Sequence, residues 1–248
     1  MSSAAETSPV IKILVVGDAG VGKTSVIQRY VNDEFSPTHR PTIGVDFFIK
    51  EVSLDGDQSE SFSGATVRVQ LWDIAGQDRA RKMNRAYFKG ALGALVVYDI
   101  SRPQTFDSAA KWKQELDTNI TLPNGSSLPV VLLGNKVDLE VAKVDVSYID
   151  SFVETHGFVA WSDVSAKDAS NGDFELSVAC LIKKLLCDEE LYGPSMRRSA
   201  ATFSTRLHAR EQSASDHDHH HNASSSKGVR MTLSTDAAGQ GSNTGCCA

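Results

Sequence analysis

Between Val10 and Leu186 short apolar runs alternate with stretches whose apolar residues recur at helical spacing. The strand-like runs are "VIKILVVG", "VDFFIKEVSL", "ATVRVQLWDI", "LGALVVYDI", "LPVVLLGNK" and "FVAWSDVSA". The helical ones are "TSVIQRYVNDEF", "RKMNRAYFKGA", "TFDSAAKWKQELDTNI", "VSYIDSFVETHG" and "DFELSVACLIKKLL". Only the second and third strands follow one another without a helix, through the polar "DGDQSESFSG", which predicts a hairpin. The other strands are joined through helices, so right-handed crossovers are expected. The pattern therefore predicts an α/β fold: a six-stranded, mostly parallel sheet with one antiparallel edge strand and helices on both faces. In such sheets ligands bind beyond the carboxyl ends of the strands.

The periodicity stops near Gly193, and from there to Ala248 no apolar face forms at either spacing. Three regions are expected: a disordered N-terminus over 1–9, a domain over 10–192, and a disordered tail over 193–248. The net charge is −6, and basic residues outnumber acidic ones in the tail, so the domain is the acidic part. An acidic body without a basic stripe argues against nucleic acid as a partner. "MSSAAETSPV" lacks the charged start and apolar core of a secretory signal, and Ser2 stands where myristoylation needs glycine. The longest apolar run, around "ALGALVVYDI", is far shorter than the roughly 18 residues of a membrane span. A cytosolic origin is expected. Cys180 and Cys187 lie two turns apart on one helix face, too far to pair, and read as buried thiols.

Chemistry enters directly after the first strand. "GDAGVGKT" fits Gly17-x4-Gly22-Lys23-Thr24 and opens a helix. Backbone N–H groups of Asp18, Ala19, Gly20, Val21 and Gly22, with the helix start at Lys23 to Ser25, can surround phosphate oxygens. Lys23 adds positive charge, and Thr24 offers a hydroxyl to Mg²⁺. The third strand ends in "WDIAGQ". Asp73 there can hold the magnesium shell, Gly76 can swing a backbone N–H toward a terminal phosphate, and Gln77 can orient an attacking water. Thr42 in "RPTIGVDF" supplies a second hydroxyl, expected to reach the metal only when a third phosphate organises its loop.

Two further strands end in "GNKVDL" and "VSAK". Asp138 can accept from guanine's ring N–H and exocyclic amine, whereas adenine presents an acceptor at the ring position. Asn135 and Lys136 would brace the base, Ser165, Ala166 and Lys167 would close its other side, and Phe35 would cover its edge.

Together these motifs look like the full series of the Ras superfamily of small GTPases over roughly residues 10–190, which implies a P-loop NTPase-type sheet. "IGVDF", "YFKGA" and the terminal cysteine pair Cys246–Cys247 resemble the Rab family. Phe47, Trp72 and Tyr87 match the aromatic trio with which that family presents its nucleotide state. Ile74, "KWKQELD" and "LPNGSSLP" are similar to the branch serving lysosome-related organelles. The resemblance implies GTP and GDP with Mg²⁺ as ligands and hydrolysis assisted by Gln77, Lys23 and Gly76. It also implies an exchange factor, an activating protein, an escort protein, a dissociation inhibitor and effectors as partners. Two geranylgeranyl chains on Cys246 and Cys247 would anchor the protein to the cytoplasmic face of an intracellular membrane, endolysosomal or lysosome-related, with cycling through the cytosol.

Departures from the pattern are Asp78-Arg79-Ala80 after Gln77, a long hairpin from Asp55 to Ala65, and Ala19 in the phosphate loop. They leave one rival, a GTP-binding membrane scaffold with little hydrolysis; a second, an ATPase or kinase on the same loop, is opposed by Asp138. No arginine is evidently placed to act in cis, so unaided turnover should be slow. "DHDHHH" in the tail reads as a solvated polar run, with metal capture as the rival.

Overall fold

β1 (Val10–Val16) is the strand on which both halves of the molecule are built, because its alternate side chains enter two different cores. The computed structural model describes residues 10–38, 40–53, 66–77, 86–141, 143–168, 173–186, 188 and 230–231. The remaining strands are β2 (Val45–Ser53), β3 (Thr66–Ile74), β4 (Gly93–Asp99), β5 (Val130–Asn135), β6 (Ala160–Val164) and β7 (Arg230–Met231). The helices are α1 (Lys23–Asn32), α2 (Pro103–Asn119), α3 (Val146–His156) and α4 (Asp173–Leu186).

Among the described residues the strands form one sheet in the order β2-β3-β1-β4-β5-β6-β7. Strands β3, β1, β4, β5 and β6 are parallel, and β2 runs antiparallel to β3 with Val45 opposite Ile74 and Ser53 opposite Thr66. The expected hairpin is present; its turn lies outside the described residues. β4 and β5 are buried along their whole length, as continuous apolar runs in a doubly covered parallel sheet should be.

One face of β1, from Ile11, Ile13 and Val15, packs with Val26 and Ile27 of α1 and Val178 and Leu181 of α4. The other, from Leu14 and Val16, packs with Phe106, Trp112 and Leu116 of α2 and Ile149 and Val153 of α3. Each such aliphatic side chain contributes about 1.5–3 kcal/mol on burial. Among the described residues no helix is long and apolar enough to cross a membrane. Cys180 is buried in the α4 core, as expected; Cys187 lies outside the described residues.

The six expected strands are joined by a seventh. β7 pairs antiparallel with the start of β6, Ala160 opposite Met231 and Trp161 opposite Arg230. It comes from the segment expected to be disordered. The overlooked signal is the period-two pattern of "VRMTLS", in which Val229, Met231 and Leu233 alternate with polar residues.

The parallel strands end nearly level. Val15 is opposite Asp73, Val16 opposite Val96, Asp99 opposite Asn135, and Asn135 opposite Val164. The loops that follow therefore share one edge of the sheet, and most residues singled out by their chemistry follow or terminate these strands, whereas Phe35 and Thr42 lie between α1 and β2.

Candidate functional site

Gly17 leaves β1 with φ +141°, and a Cβ there would lie 2.1 Å from the Val97 carbonyl oxygen. The loop therefore starts by backbone contact that only glycine allows. It ends at Gly22, the left-handed N-cap of α1 (φ +98°), which supplies no side-chain hydrogen bond to the helix. The first N–H groups of α1 are thus left to whatever anion the loop encloses. Lys23 is buried here and donates Nζ to the carbonyls of Gly17 (2.8 Å) and Asp18 (2.9 Å). Burial lowers its pKa to about 8, although the charges of Asp73 and Asp18 pull it upward.

Beside this lysine three oxygen-bearing side chains meet. Thr24 Oγ1 donates to Asp73 Oδ2 at 2.5 Å, Thr42 Oγ1 reaches the same oxygen at 3.1 Å, and the two hydroxyls are 2.8 Å apart. Asp73 is fully buried, and its Oδ1 has no hydrogen-bond partner among the described residues. Burial raises its pKa, opposed by the Thr24 hydrogen bond, the charge of Lys23 and the Thr42 hydrogen bond. A buried carboxylate with an unused oxygen, flanked by two hydroxyls, is a donor set suited to a hard divalent cation.

Gly76 and Gln77 line the same cleft as Ala19, Gly20, Gly22, Lys23, Thr24, Ser25, Pro41 and Thr42. Gln77 is exposed, and its amide can reach a water or ligand there. The Ala75 N–H donates to the Gly44 carbonyl (3.0 Å), so the segments carrying Thr42 and Gly76 are tied together.

At the other end of the loop, Asn135 is buried and donates Nδ2 to the Val21 carbonyl (2.8 Å), while its Oδ1 accepts from the Ala166 N–H (3.3 Å). One side chain thereby locks the phosphate loop to the Ser165–Lys167 turn. A Cβ on Gly22 would lie 2.3 Å from Asn135 Nδ2, so that contact depends on glycine. Ser165 Oγ donates to Asp138 Oδ1 (2.7 Å) and accepts from the N–H groups of Lys167 (3.2 Å) and Asp168 (2.9 Å). Lys167 Nζ stands 3.9 Å from Asp138 Oδ2. Arg29 Nε, from α1, holds the Ala166 carbonyl at 3.0 Å. The Asp138 carboxylate is thus oriented by Ser165, and its two oxygens can accept further hydrogen bonds. Phe35 is half-buried against the core shared by α1 and α4.

The aromatic trio is assembled on the sheet's β2–β3 side: Phe47 to Trp72 is 5.9 Å between ring centroids, and Trp72 to Tyr87 is 6.4 Å. Phe47 is 67% exposed and neighbouring Ile43 is 94% exposed. Lys12 stands 3.6 Å over the Trp72 ring and also donates to the carbonyls of Tyr87 (2.6 Å) and Lys89 (2.9 Å). This cation fixes the trio from below.

Three residues escaped sequence reasoning. Trp112 donates its indole N–H to Asp18 Oδ1 (2.9 Å), and Asp99 and Arg102, at the carboxyl end of β4, bear on the outside of the phosphate loop. The rule that ligand residues follow parallel strands pointed at Asp99 as much as at Asp73 and Asn135. Asp78 to Ala80, the hairpin turn, the histidine run and Cys246–Cys247 lie outside the described residues.

The sequence matches the profile of the Ras family over residues 12–183. It is 47% identical over 182 residues to human Ras-related protein Rab-32, covering 73% of this chain and 77% of the relative. It is 42% identical over 175 residues to human Ras-related protein Rab-7L1, covering 71% and 82%. Against Ras-related protein Rab-32B of Dictyostelium discoideum it is 40% identical over 160 residues, covering 64% and 59%. With the phosphate-loop, carboxylate and base-end motifs gathered at one sheet edge and these likenesses spanning most of the chain, the protein belongs to the Ras family of small GTPases, in its Rab branch.

Proposed function

We propose that GTP lies along this edge, its phosphates against Gly17 to Thr24 and its guanine between Asn135–Asp138 and Ser165–Lys167. The family membership makes the chain a GTP-hydrolysing switch of membrane traffic, acted on by exchange factors and activating proteins and read by effectors. The observation that carries the residue assignments is the meeting of Thr24, Thr42 and Asp73 beside buried Lys23. Those three side chains would hold Mg²⁺, directly or through water, and the bound ion would neutralise charge on the phosphate oxygens. Lys23 exchanges its bonds to the Gly17 and Asp18 carbonyls for phosphate oxygens. The Gly76 N–H meets the terminal phosphate, and Gln77 orients the attacking water. Departure of that phosphoryl group removes the acceptor that Gly76 and the Thr42 segment share, and both are released.

Calorimetry on nucleotide-stripped protein tests this reading. GTP should bind at least about 10³-fold more tightly than ATP, because a carboxylate placed for two donors rejects a base lacking them. Equal affinities overturn it. Gln77→Leu should lower single-turnover hydrolysis about tenfold while leaving GTP affinity unchanged, since the leucine fills the same space without orienting water. A variant as fast as the parent removes Gln77 from the mechanism.

The scaffold reading is not favoured: Gln77 reaches the cleft, and Ala19 leaves the cleft lining intact. We further propose that Cys246 and Cys247 carry two prenyl chains, handled by an escort protein and a dissociation inhibitor. The compartment proposed is endolysosomal or lysosome-related. One lipid chain gives only marginal attachment and two give stable anchoring. Cys246→Ser with Cys247→Ser should therefore move the tagged full-length protein from membranes to cytosol, whereas unchanged membrane localisation would refute the anchor.

A further inference from the structure

Asp99, whose side chain is 1% exposed, gathers two cations at the end of β4. Its Oδ2 accepts from Lys136 Nζ (2.6 Å) and Arg102 Nε (2.9 Å), while Oδ1 accepts from the N–H (2.9 Å) and hydroxyl (2.6 Å) of Ser101. Both cations reach onward to the phosphate loop. Arg102 Nη2 donates to the Ala19 carbonyl (3.2 Å), and Lys136 Nζ donates to the Gly20 carbonyl (3.1 Å). The Val21 carbonyl is taken by Asn135 at 2.8 Å. Three successive carbonyls of the loop are therefore held by side chains arriving from outside it.

The backbone under Arg102 is closed as well. Its N–H donates to the Asp99 carbonyl (2.9 Å), and its own carbonyl accepts from the N–H (2.9 Å) and hydroxyl (2.7 Å) of Thr105. The Thr105 hydroxyl in turn accepts from the Asp99 N–H (3.0 Å). The guanidinium lies 3.6 Å from where a Cβ of Gly20 would stand, so it covers the outer side of that left-handed glycine (φ +74°).

A peptide group is planar and trans, so its C=O and N–H point in opposite directions. Holding the Ala19 carbonyl outward holds the Gly20 N–H inward, and a hydrogen bond to the carbonyl strengthens that N–H as a donor. Resting on the reading of this loop as the phosphate cradle, we infer that Arg102 is a positioning residue for GTP hydrolysis. It aims the Gly20 N–H at the outer phosphates, where negative charge grows as the terminal group departs, and Asp99 holds its fork in place. Arg102 Nε and Nη2 are committed to Asp99 and Ala19, so the inferred role is to hold the loop rather than to bond the phosphates. This separates it from an arginine contributed by an activating protein.

Single-turnover hydrolysis, GTP and GDP dissociation, and thermal melting should be measured for the parent, Arg102→Ala and Arg102→Lys. Loss of aim, with the N–H still present, should slow hydrolysis about tenfold in Arg102→Ala, less than deletion of a transition-state donor costs. Dissociation of both nucleotides should change less than about threefold, and melting should stay within about 2 °C. Arg102→Lys should recover part of the rate, since an ammonium can reach Asp99 or Ala19 but lacks the fork that joins them. Unchanged hydrolysis in Arg102→Ala overturns the inference, as does a rate loss that tracks faster dissociation and lower melting, the mark of a merely structural role. A loss of about 10³ or more overturns it too, being the size expected of an arginine acting directly on the phosphates. Failure of the parent to bind GTP overturns instead the assignment of the cradle.

Discussion

Asp138→Asn should weaken GTP binding about 10²- to 10³-fold while the domain keeps its fold. The carboxylate has spent one hydrogen bond, to Ser165 at 2.7 Å, and its contact with Lys167 at 3.9 Å is long and peripheral. Its remaining acceptor capacity is what guanine's two donors require. The amide of asparagine presents one acceptor and one donor, so one guanine N–H meets another N–H. Each unmade bond at a buried site costs about 1–3 kcal/mol, and more where the acceptor was charged. A total near 3–4 kcal/mol gives the stated range at about 1.4 kcal/mol per tenfold. The same donor should favour a purine with an oxygen at the amine-bearing carbon, so xanthosine triphosphate should bind the variant better than it binds the parent. Competition against a fluorescent guanine nucleotide measures both. An unchanged preference for GTP over ATP would move the base pocket elsewhere.

The residues of this site were readable where a strand exit carries its own chemistry. Asp73, Asn135 and Ser165 sit within a residue of a strand end, and parallel strands level at one edge bring such residues together without further information. What stayed hidden are pairings between distant positions. Arg102 reaches Ala19 across 83 residues of sequence, and Trp112 reaches Asp18 across 94. Helical periodicity places Trp112 in the core, where it is 1% exposed, but says nothing of where its indole N–H points. "LGALVVYDI" reads as a strand and "TFDSAAKWKQELDTNI" as a helix, which leaves Arg102 in an unassigned link whose Pro103 opens the helix and is a sufficient local reason for the sequence. Lys136 reads in the sequence as a brace for the base, and its ammonium is found on Asp99 and the Gly20 carbonyl. Its left-handed backbone (φ +72°), which a lysine adopts only when its surroundings demand it, has no sequence signal. The bonds of Lys136 to Asp99 and Gly20 are the surroundings that demand it here.

Gly76→Ala should abolish most hydrolysis while leaving nucleotide bound. A Cβ on Gly76 would stand 2.4 Å from the Asp18 carbonyl carbon, 2.4 Å from the Gly17 oxygen and 2.5 Å from the Ala19 nitrogen. All three are backbone atoms of the phosphate loop, whose next carbonyls, at Ala19, Gly20 and Val21, are held by Arg102, Lys136 and Asn135, so the loop resists displacement. The strand end must move instead, and it carries Gln77 with it. Displacement of a reacting group by about 1 Å costs on the order of 10²-fold in rate, and that is the loss expected in single turnover. In the proposed pose guanine is held by Asp138 and its neighbours, away from Gly76, so GTP affinity should fall less than about tenfold. The Ala75–Gly44 bond transmits the shift to the segment bearing Thr42, which predicts that exposed Ile43 and Phe47 no longer present the GTP-bound surface. Hydrogen exchange over residues 40–47 in the GTP-loaded variant should therefore match that of the GDP-bound parent. Hydrolysis at the parental rate would show that the loop accommodates a methyl group and that close approach of Gly76 is not required for the reaction.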